Sequence, residues 1–192
     1  MILAYLILAH LLSDFILQPT KLFIWKNKSM LGVFVHVLVH LTLNVLLLLP
    51  LILNGYSWLL FLIFAVCFIH FFLDQTKIAY DANHSNKVAP FLLDQIMHFL
   101  TITIAYIFIS NYKFDLPSSG FFTLYSNLHI PIFLSLLIIM TVGVEIYRFQ
   151  RIREVNSRAK LQIDRKKALI RAINLGMIYV VFIFLLAYLP GF

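Results

Sequence analysis

Long apolar stretches alternate with short polar segments along the whole sequence. Six of these stretches approach the ~20 residues that a helix needs to cross a bilayer. They cover residues 2–17, 31–53, 57–77, 90–110, 130–147 and 171–189. Several breaks between them contain Gly or Pro, as at Asn54-Gly55 and Ala89-Pro90. The pattern therefore predicts an all-α, polytopic integral membrane protein with about six transmembrane helices.

The composition agrees with this interpretation. Hydrophobic residues make up 62% of the chain and charged residues only 12%, which is outside the usual range for soluble domains. We expect a single membrane domain, with a four-helix core over residues 1–110 and two further transmembrane helices within residues 111–192. Cys67 is the only cysteine, so an intrachain disulfide is excluded.

The net charge of +7 has a simple explanation in membrane topology. Every Lys and Arg except Lys113 lies in or beside the first, third or fifth connection between the predicted spans. The positive-inside rule places these connections in the cytoplasm and both termini on the other side. We expect residues 148–171, predicted as a basic cytoplasmic loop, to attract anionic lipid head groups. Nucleic-acid binding is not expected, and the sequence leaves the oligomeric state open.

Ionisable side chains within the first four spans form a regular pattern. Such groups cost several kcal/mol in hydrocarbon unless they are paired or bind an ion. They occur as four i, i+4 pairs: His10 and Asp14, His36 and His40, His70 and Asp74, and Asp94 and His98. This spacing puts both members of a pair on one helix face. Distances along the chain from the nearest lysines place all eight at one depth, in the cytoplasmic half of the membrane.

The order of these pairs also predicts a repeat. The first two spans resemble the next two, so we expect two parallel-repeated hairpins around a buried His/Asp layer. Imidazole nitrogens and carboxylate oxygens are ligands for Zn²⁺, Mn²⁺ or Fe²⁺. The layer is therefore predicted to hold one or two divalent ions. The candidate ligands are His10, Asp14, His36, His40, His70, Asp74, Asp94 and His98. The alternative is a neutral network of Asp–His hydrogen bonds that holds the helices together.

These residues carry a resemblance to a known family. The sequence reads H-x3-D-F-x2-Q at residues 10–18, H-x3-H at 36–40, H-x3-D-x2-K at 70–77 and D-Q-x2-H at 94–98. Over residues 5 to 100 it resembles the bacterial membrane family catalogued as domain of unknown function 3307. The resemblance implies a location in the bacterial cytoplasmic (inner) membrane. It groups Gln18, Lys77 and Gln95 with the layer and implies no activity.

The first functional hypothesis is an intramembrane metal-dependent enzyme. It is predicted to be a hydrolase that acts on a lipid or lipid-linked phosphate at the cytoplasmic interface. Asp94 or Glu145 would serve as general base, and Lys21, Lys77 and Arg148 would neutralise phosphate oxygens. An oxidative di-iron variant resembles the fatty-acid desaturases, but the H-x2-H-H box of those enzymes is missing from this sequence.

Two other classes of function remain open. The first is a transporter of divalent cations or protons that uses the same His/Asp layer. The first four spans offer almost no ionisable group towards the non-cytoplasmic face, which disfavours a continuous polar path. The second is a non-catalytic membrane subunit in which the layer is a structural polar network.

Overall fold

The computed structural model describes residues 1–156 and 159–188, and within them the chain forms helices and connecting segments without strands. The α-helices are α1 (Ile2–Leu11), α2 (Thr20–Lys26), α3 (Met30–Leu53), α4 (Leu59–Asn83), α5 (Val88–Ile109), α6 (Gly120–Ser126), α7 (His129–Ile138), α8 (Val144–Val155) and α9 (Arg165–Tyr188). Two π-helical turns, Leu12–Ile16 and Ile139–Gly143, follow α1 and α7.

The lengths and apolar composition of these helices confirm a multi-pass membrane fold. Five helical runs are long and apolar enough to cross a bilayer, namely α3, α4, α5, the continuous run His129–Val155, and α9. A sixth span results if the run Ile2–Ile16 is counted together with α2, from which it is separated by a bend of 95°. The run Ile2–Ile16 is only about 22 Å long at ~1.5 Å per residue, short of a hydrocarbon core of ~30 Å.

The structure differs from the sequence prediction in four places. The connection between the predicted spans 90–110 and 130–147 contains α6, which the apolar pattern did not predict. The segment after the first span contains α2, whereas it was predicted to be a loop. Helix α4 continues to Asn83, beyond the predicted end at residue 77. Residues 148–155, predicted as part of the basic loop, continue α8, and α9 begins at Arg165. The connection between these helices is therefore limited to residues 156–164, of which 157 and 158 lie outside the described part of the chain.

Helices α1, α3, α4 and α5 form a closed four-helix ring. Helix α1 packs against α3 and α5, and α4 packs against the same two neighbours. Towards the ends near Met1 and Gly55, buried apolar side chains such as Leu6, Leu48, Leu59 and Ile63 fill the ring. Helix α7 packs outside α1, and α9 packs on the second π-helical turn. The centre of the ring is left to the polar side chains described below.

Short-range features fix the position of α3 between α2 and α4. Ser29 caps α3, because its Oγ accepts a hydrogen bond of 3.2 Å from the Leu31 amide. The connection from α3 to α4 turns at Gly55, whose φ of +96° lies in the left-handed region that favours glycine. This tight turn places the His36/His40 face of α3 beside the His70/Asp74 face of α4.

Candidate metal centre

The histidines and aspartates predicted to share one depth meet at the centre of the four-helix ring. The relative exposure of the most buried six is 4% or less; these are His10, His36, His40, His70, Asp74 and His98. The imidazole rings contact one another, with centroids 3.8 Å apart for His40 and His70 and 4.1 Å for His70 and His98. The predicted buried His/Asp layer is therefore confirmed.

Asp14 is the point where the first group of possible ligands converges. It lies in the π-helical turn Leu12–Ile16, a type of turn often found at functional sites. Its Oδ1 is 2.9 Å from His40 Nε2 and 3.1 Å from His36 Nε2, and these two nitrogens are 3.2 Å apart. Ligands bound tetrahedrally at ~2.0–2.1 Å are separated by roughly 3.3 Å. The three atoms therefore have the spacing of a coordination sphere.

Hydrogen bonding and metal binding both fit these distances. The N–H groups of His36 and His40 can both donate to Asp14 Oδ1, since a carboxylate oxygen accepts more than one hydrogen bond. A cation fits as well, because both nitrogens would then present lone pairs to it. His70 completes a group of four whose ligand atoms all lie within 4.8 Å of one another. Asp14, His36, His40 and His70 can therefore hold a metal ion.

A second group consists of His70, Asp74 and His98, whose ligand atoms also lie within 4.8 Å of one another. His98 Nδ1 donates to the Asp94 carbonyl oxygen at 2.7 Å, which leaves the Nε2 lone pair available. Within the described residues, neither His98 Nε2 nor His70 Nε2 has a hydrogen-bond partner. Both nitrogens are therefore available to bind a ligand.

The histidine rings also enclose a small space of their own. His10, His40, His70 and His98 line a cavity of about 10 Å³, together with Asn44 and apolar residues. This volume is close to that of one water molecule or ion.

Lys26, at the end of α2, contributes a cation to the layer, although the apolar pattern predicts a loop at this residue. Its Nζ lies 2.8 Å from both carboxylate oxygens of Asp74, and the residue is only 7% exposed. The position depends on Gly32 in α3. A Cβ at Gly32 would come within 2.5 Å of the Trp25 carbonyl carbon and 2.6 Å of the Lys26 nitrogen. Glycine at residue 32 is thus what lets α2 reach the layer.

Amide side chains hold the carboxylates in place. Gln95 Nε2 donates to Asp14 Oδ2 at 3.2 Å and to Asp94 Oδ2 at 3.3 Å, and Gln95 Oε1 is 3.3 Å from His10 Nε2. Gln18 Nε2 is 3.2 Å from His36 Nδ1. Asp94 Oδ1 is buried and has no hydrogen-bond partner among the described residues. Hydrogen bonds such as those from Gln95 and Gln18 orient the ligands of metal sites.

A cavity of about 380 Å³ leads from this layer towards α2 and α8. Its polar wall includes Asp14, Gln18, Lys26, Lys77, Asp94 and Gln95. Its apolar wall includes Phe15, Phe23, Ile24, Phe91, Ile146 and Phe149, and residues 159–161 also line it. The cavity therefore joins carboxylates and ammonium groups to a surface suited to hydrocarbon.

Glu145 and Arg148, two further candidates, lie apart from the cavity lining. Glu145 is buried and pairs with Arg171 at 2.5 Å and with Arg148 at 3.5 Å. Arg171 also donates to the carbonyl oxygens of Met140 and Thr141, within the second π-helical turn. Glu145 thus connects α8 to α9. Lys77 lines the cavity and lies 3.4 Å from Asp81.

Lys26 is the site residue that sequence reasoning missed. Only weak signals mark it, namely the apolar run Leu22–Trp25 before it and a glycine four residues before His36. Neither signal reveals which way the lysine points, because its contact with Asp74 joins residues 48 positions apart.

The sequence matches the model of a known protein family. The family model described as "Protein of unknown function (DUF3307)" matches residues 2–123, which include the whole four-helix ring and its layer. No curated protein and no solved structure matches the chain. Because the family model covers more than half of the sequence, the chain belongs to the DUF3307 family of proteins of unknown function.

Proposed function

We propose that the protein is a metal-dependent intramembrane hydrolase that cleaves a lipid or lipid-linked phosphate at the cytoplasmic face of the membrane. The observation that carries the proposal is the cavity of about 380 Å³, because it joins the His/Asp layer to apolar walls. A lipid phosphate has the matching chemistry, with an anionic head and a hydrocarbon tail. The concentration of Lys and Arg on one side supports the cytoplasmic assignment.

The ligand geometry supports the metal dependence. Asp14, His36, His40 and His70 would hold a divalent ion such as Zn²⁺, Mn²⁺ or Fe²⁺. Such an ion would supply charge stabilisation and a water molecule that ionises near neutral pH. Gln95 keeps Asp14 oriented through its hydrogen bond of 3.2 Å.

Asp94 is the general base in this proposal. It borders the cavity, its Oδ1 lacks a hydrogen-bond partner among the described residues, and Gln95 fixes its other oxygen. Asp94 accepts a proton as water oxygen attacks phosphorus, and returns it to the departing alcohol oxygen as the ester P–O bond breaks. Lys77, on the same wall, neutralises a phosphate oxygen. Glu145 is less suited to this role, because two arginines hold it.

The experiment is phosphate release from defined lipid phosphates by purified protein in detergent, with and without added Mn²⁺ or Zn²⁺. Phosphatidic acid, lysophosphatidic acid and a polyprenyl phosphate are suitable substrates. We expect metal-dependent turnover that Asp94→Asn lowers at least about 100-fold, the low end of what general acid–base catalysis supplies. Asp115→Asn is the matched control, because Asp115 is exposed and its hydrogen bonds to Tyr56 use only the backbone.

Transport of the ion is the competing outcome. A cavity of only about 10 Å³, bordered by Leu6, Val66 and Ile102, adjoins the histidine rings. A volume of this size does not by itself provide a path for an ion. Metal-dependent ion flux into proteoliposomes without lipid turnover would reject the hydrolase and favour a transporter. Absence of bound metal would instead favour a non-catalytic membrane subunit, in which the layer is a structural polar network.

A further inference from the structure

The buried ammonium of Lys26 occupies the carboxylate that a second metal ion would use. Its Nζ is 2.8 Å from both oxygens of Asp74, and Asp74 Oδ2 is in turn 3.4 Å from His70 Nε2 and 3.6 Å from His36 Nε2. An ion bound by His70, Asp74 and His98 would approach Asp74 to ~2.0–2.2 Å. The ammonium and such an ion would share one carboxylate and repel each other.

The charges of the layer lead to the same conclusion. Asp14, Asp74 and Asp94 supply three carboxylates at the layer, and Lys26 supplies one buried ammonium. One divalent ion would bring the positive charge to three. A second would leave an excess of two charges in a site whose side chains are less than 10% exposed, where unbalanced charge is costly. Lys77 does not change this balance, because it pairs with Asp81.

We propose that Lys26 is a built-in second cation, so that the centre binds one divalent ion at Asp14, His36, His40 and His70 and none at His70, Asp74 and His98. This inference rests on the metal centre of the proposed function and narrows it to a mononuclear site. Lys26 also lines the large cavity, so in this proposal its positive charge would lie close to a substrate phosphate bound there. In two-metal phosphoryl sites the second ion stabilises the leaving oxygen, and Lys26 would supply this positive charge here.

The test is the number of metal ions per chain in Lys26→Met. Methionine keeps the length and apolar stem of the side chain and removes the charge. Lys21→Met is the matched control, since Lys21 lies on the same short helix and is exposed. Each protein is saturated with Mn²⁺, desalted and analysed by elemental mass spectrometry. Electron paramagnetic resonance then distinguishes an isolated Mn²⁺ from an exchange-coupled pair.

We expect one uncoupled ion per chain for the wild type and Lys21→Met, and two coupled ions for Lys26→Met. Adding Asp74→Asn to Lys26→Met should restore one ion. Two ions in the wild type, or one in folded Lys26→Met, would overturn the role of Lys26 while leaving the metal centre intact. A wild type without metal would overturn the centre itself.

If Lys26→Met does not fold, the single variant Asp74→Asn decides the question. The Asp74 carboxylate is not a ligand in this proposal, so Asp74→Asn should keep one ion per chain. Loss of that ion from protein that still elutes as a single species in size-exclusion chromatography would overturn the proposal.

Discussion

Among single side chains, Gln95 connects the two carboxylates that border both the metal centre and the cavity. Its amide nitrogen donates to Asp14 and Asp94, and its carbonyl oxygen lies 3.3 Å from His10 Nε2. The substitution Gln95→Leu keeps a similar size and removes all three contacts. Loss of such a partner typically lowers metal affinity about 10–100-fold. We expect a decrease of that size in a Zn²⁺ titration with a competing chelator.

The control for Gln95→Leu is Gln162→Leu in the connection between α8 and α9, where the glutamine is exposed. Its affinity for Zn²⁺ should equal that of the wild type. Equal affinities for all three proteins would mean that the orientation of Asp14 does not depend on Gln95.

Among the elements, α2 depends on a close backbone contact with α3 at Gly32. Gly→Ala in a helix normally stabilises by ~0.8–1.0 kcal/mol. At Gly32 the new Cβ would lie 2.5 Å from backbone atoms of Trp25, which no side-chain rotation relieves. Overpacking of this kind costs ~1–3 kcal/mol. We therefore expect Gly32→Ala to lower the thermal unfolding midpoint in detergent.

Gly176→Ala provides the comparison for Gly32→Ala. Gly176 also lies within a helix, α9, but a Cβ there meets no atom within 4 Å. Its unfolding midpoint should stay the same or rise. A midpoint for Gly32→Ala that rises as much would show that α2 is free to move away from α3.

The sequence was sufficient to predict the helices that contain the layer. It was not sufficient to predict α2, which brings Lys26 to the layer, or the pairing of Glu145 with Arg171. The spans follow from the length of the apolar runs, and the layer follows from i, i+4 pairs at one depth. Helix α2 has only seven residues, and isolated helices of that length are unstable, so its helicity depends on contacts with α3. The pairing of Glu145 also depends on a contact between residues that are distant in the sequence. Its partner Arg171 is 26 residues away, and the nearer Arg148 gave the more obvious pairing.

For the molecule as a whole, the remaining prediction concerns which side of the membrane each connection occupies. Lys113 lies between α5 and α6, and Lys160 lies between α8 and α9; both are exposed. The run His129–Val155 separates them and is long and apolar enough to cross a bilayer. The uneven distribution of Lys and Arg predicts that Lys160 lies in the cytoplasm and Lys113 outside. This assignment decides whether the cavity meets substrate from the inner leaflet, because residues 159–161 line it.

Cysteine labelling in intact bacterial cells tests the assignment. Lys113→Cys should react with a membrane-impermeant maleimide, whereas Lys160→Cys should react only after the cells are permeabilised. The unsubstituted chain is the control, because Cys67 is buried and should not react. Labelling of Lys160→Cys alone in intact cells would reverse the orientation and place the cavity at the outer face, where a cytoplasmic lipid phosphate is no longer its substrate. Equal labelling of both would mean that the run His129–Val155 does not cross the membrane, and the basic connection would lose its topological explanation.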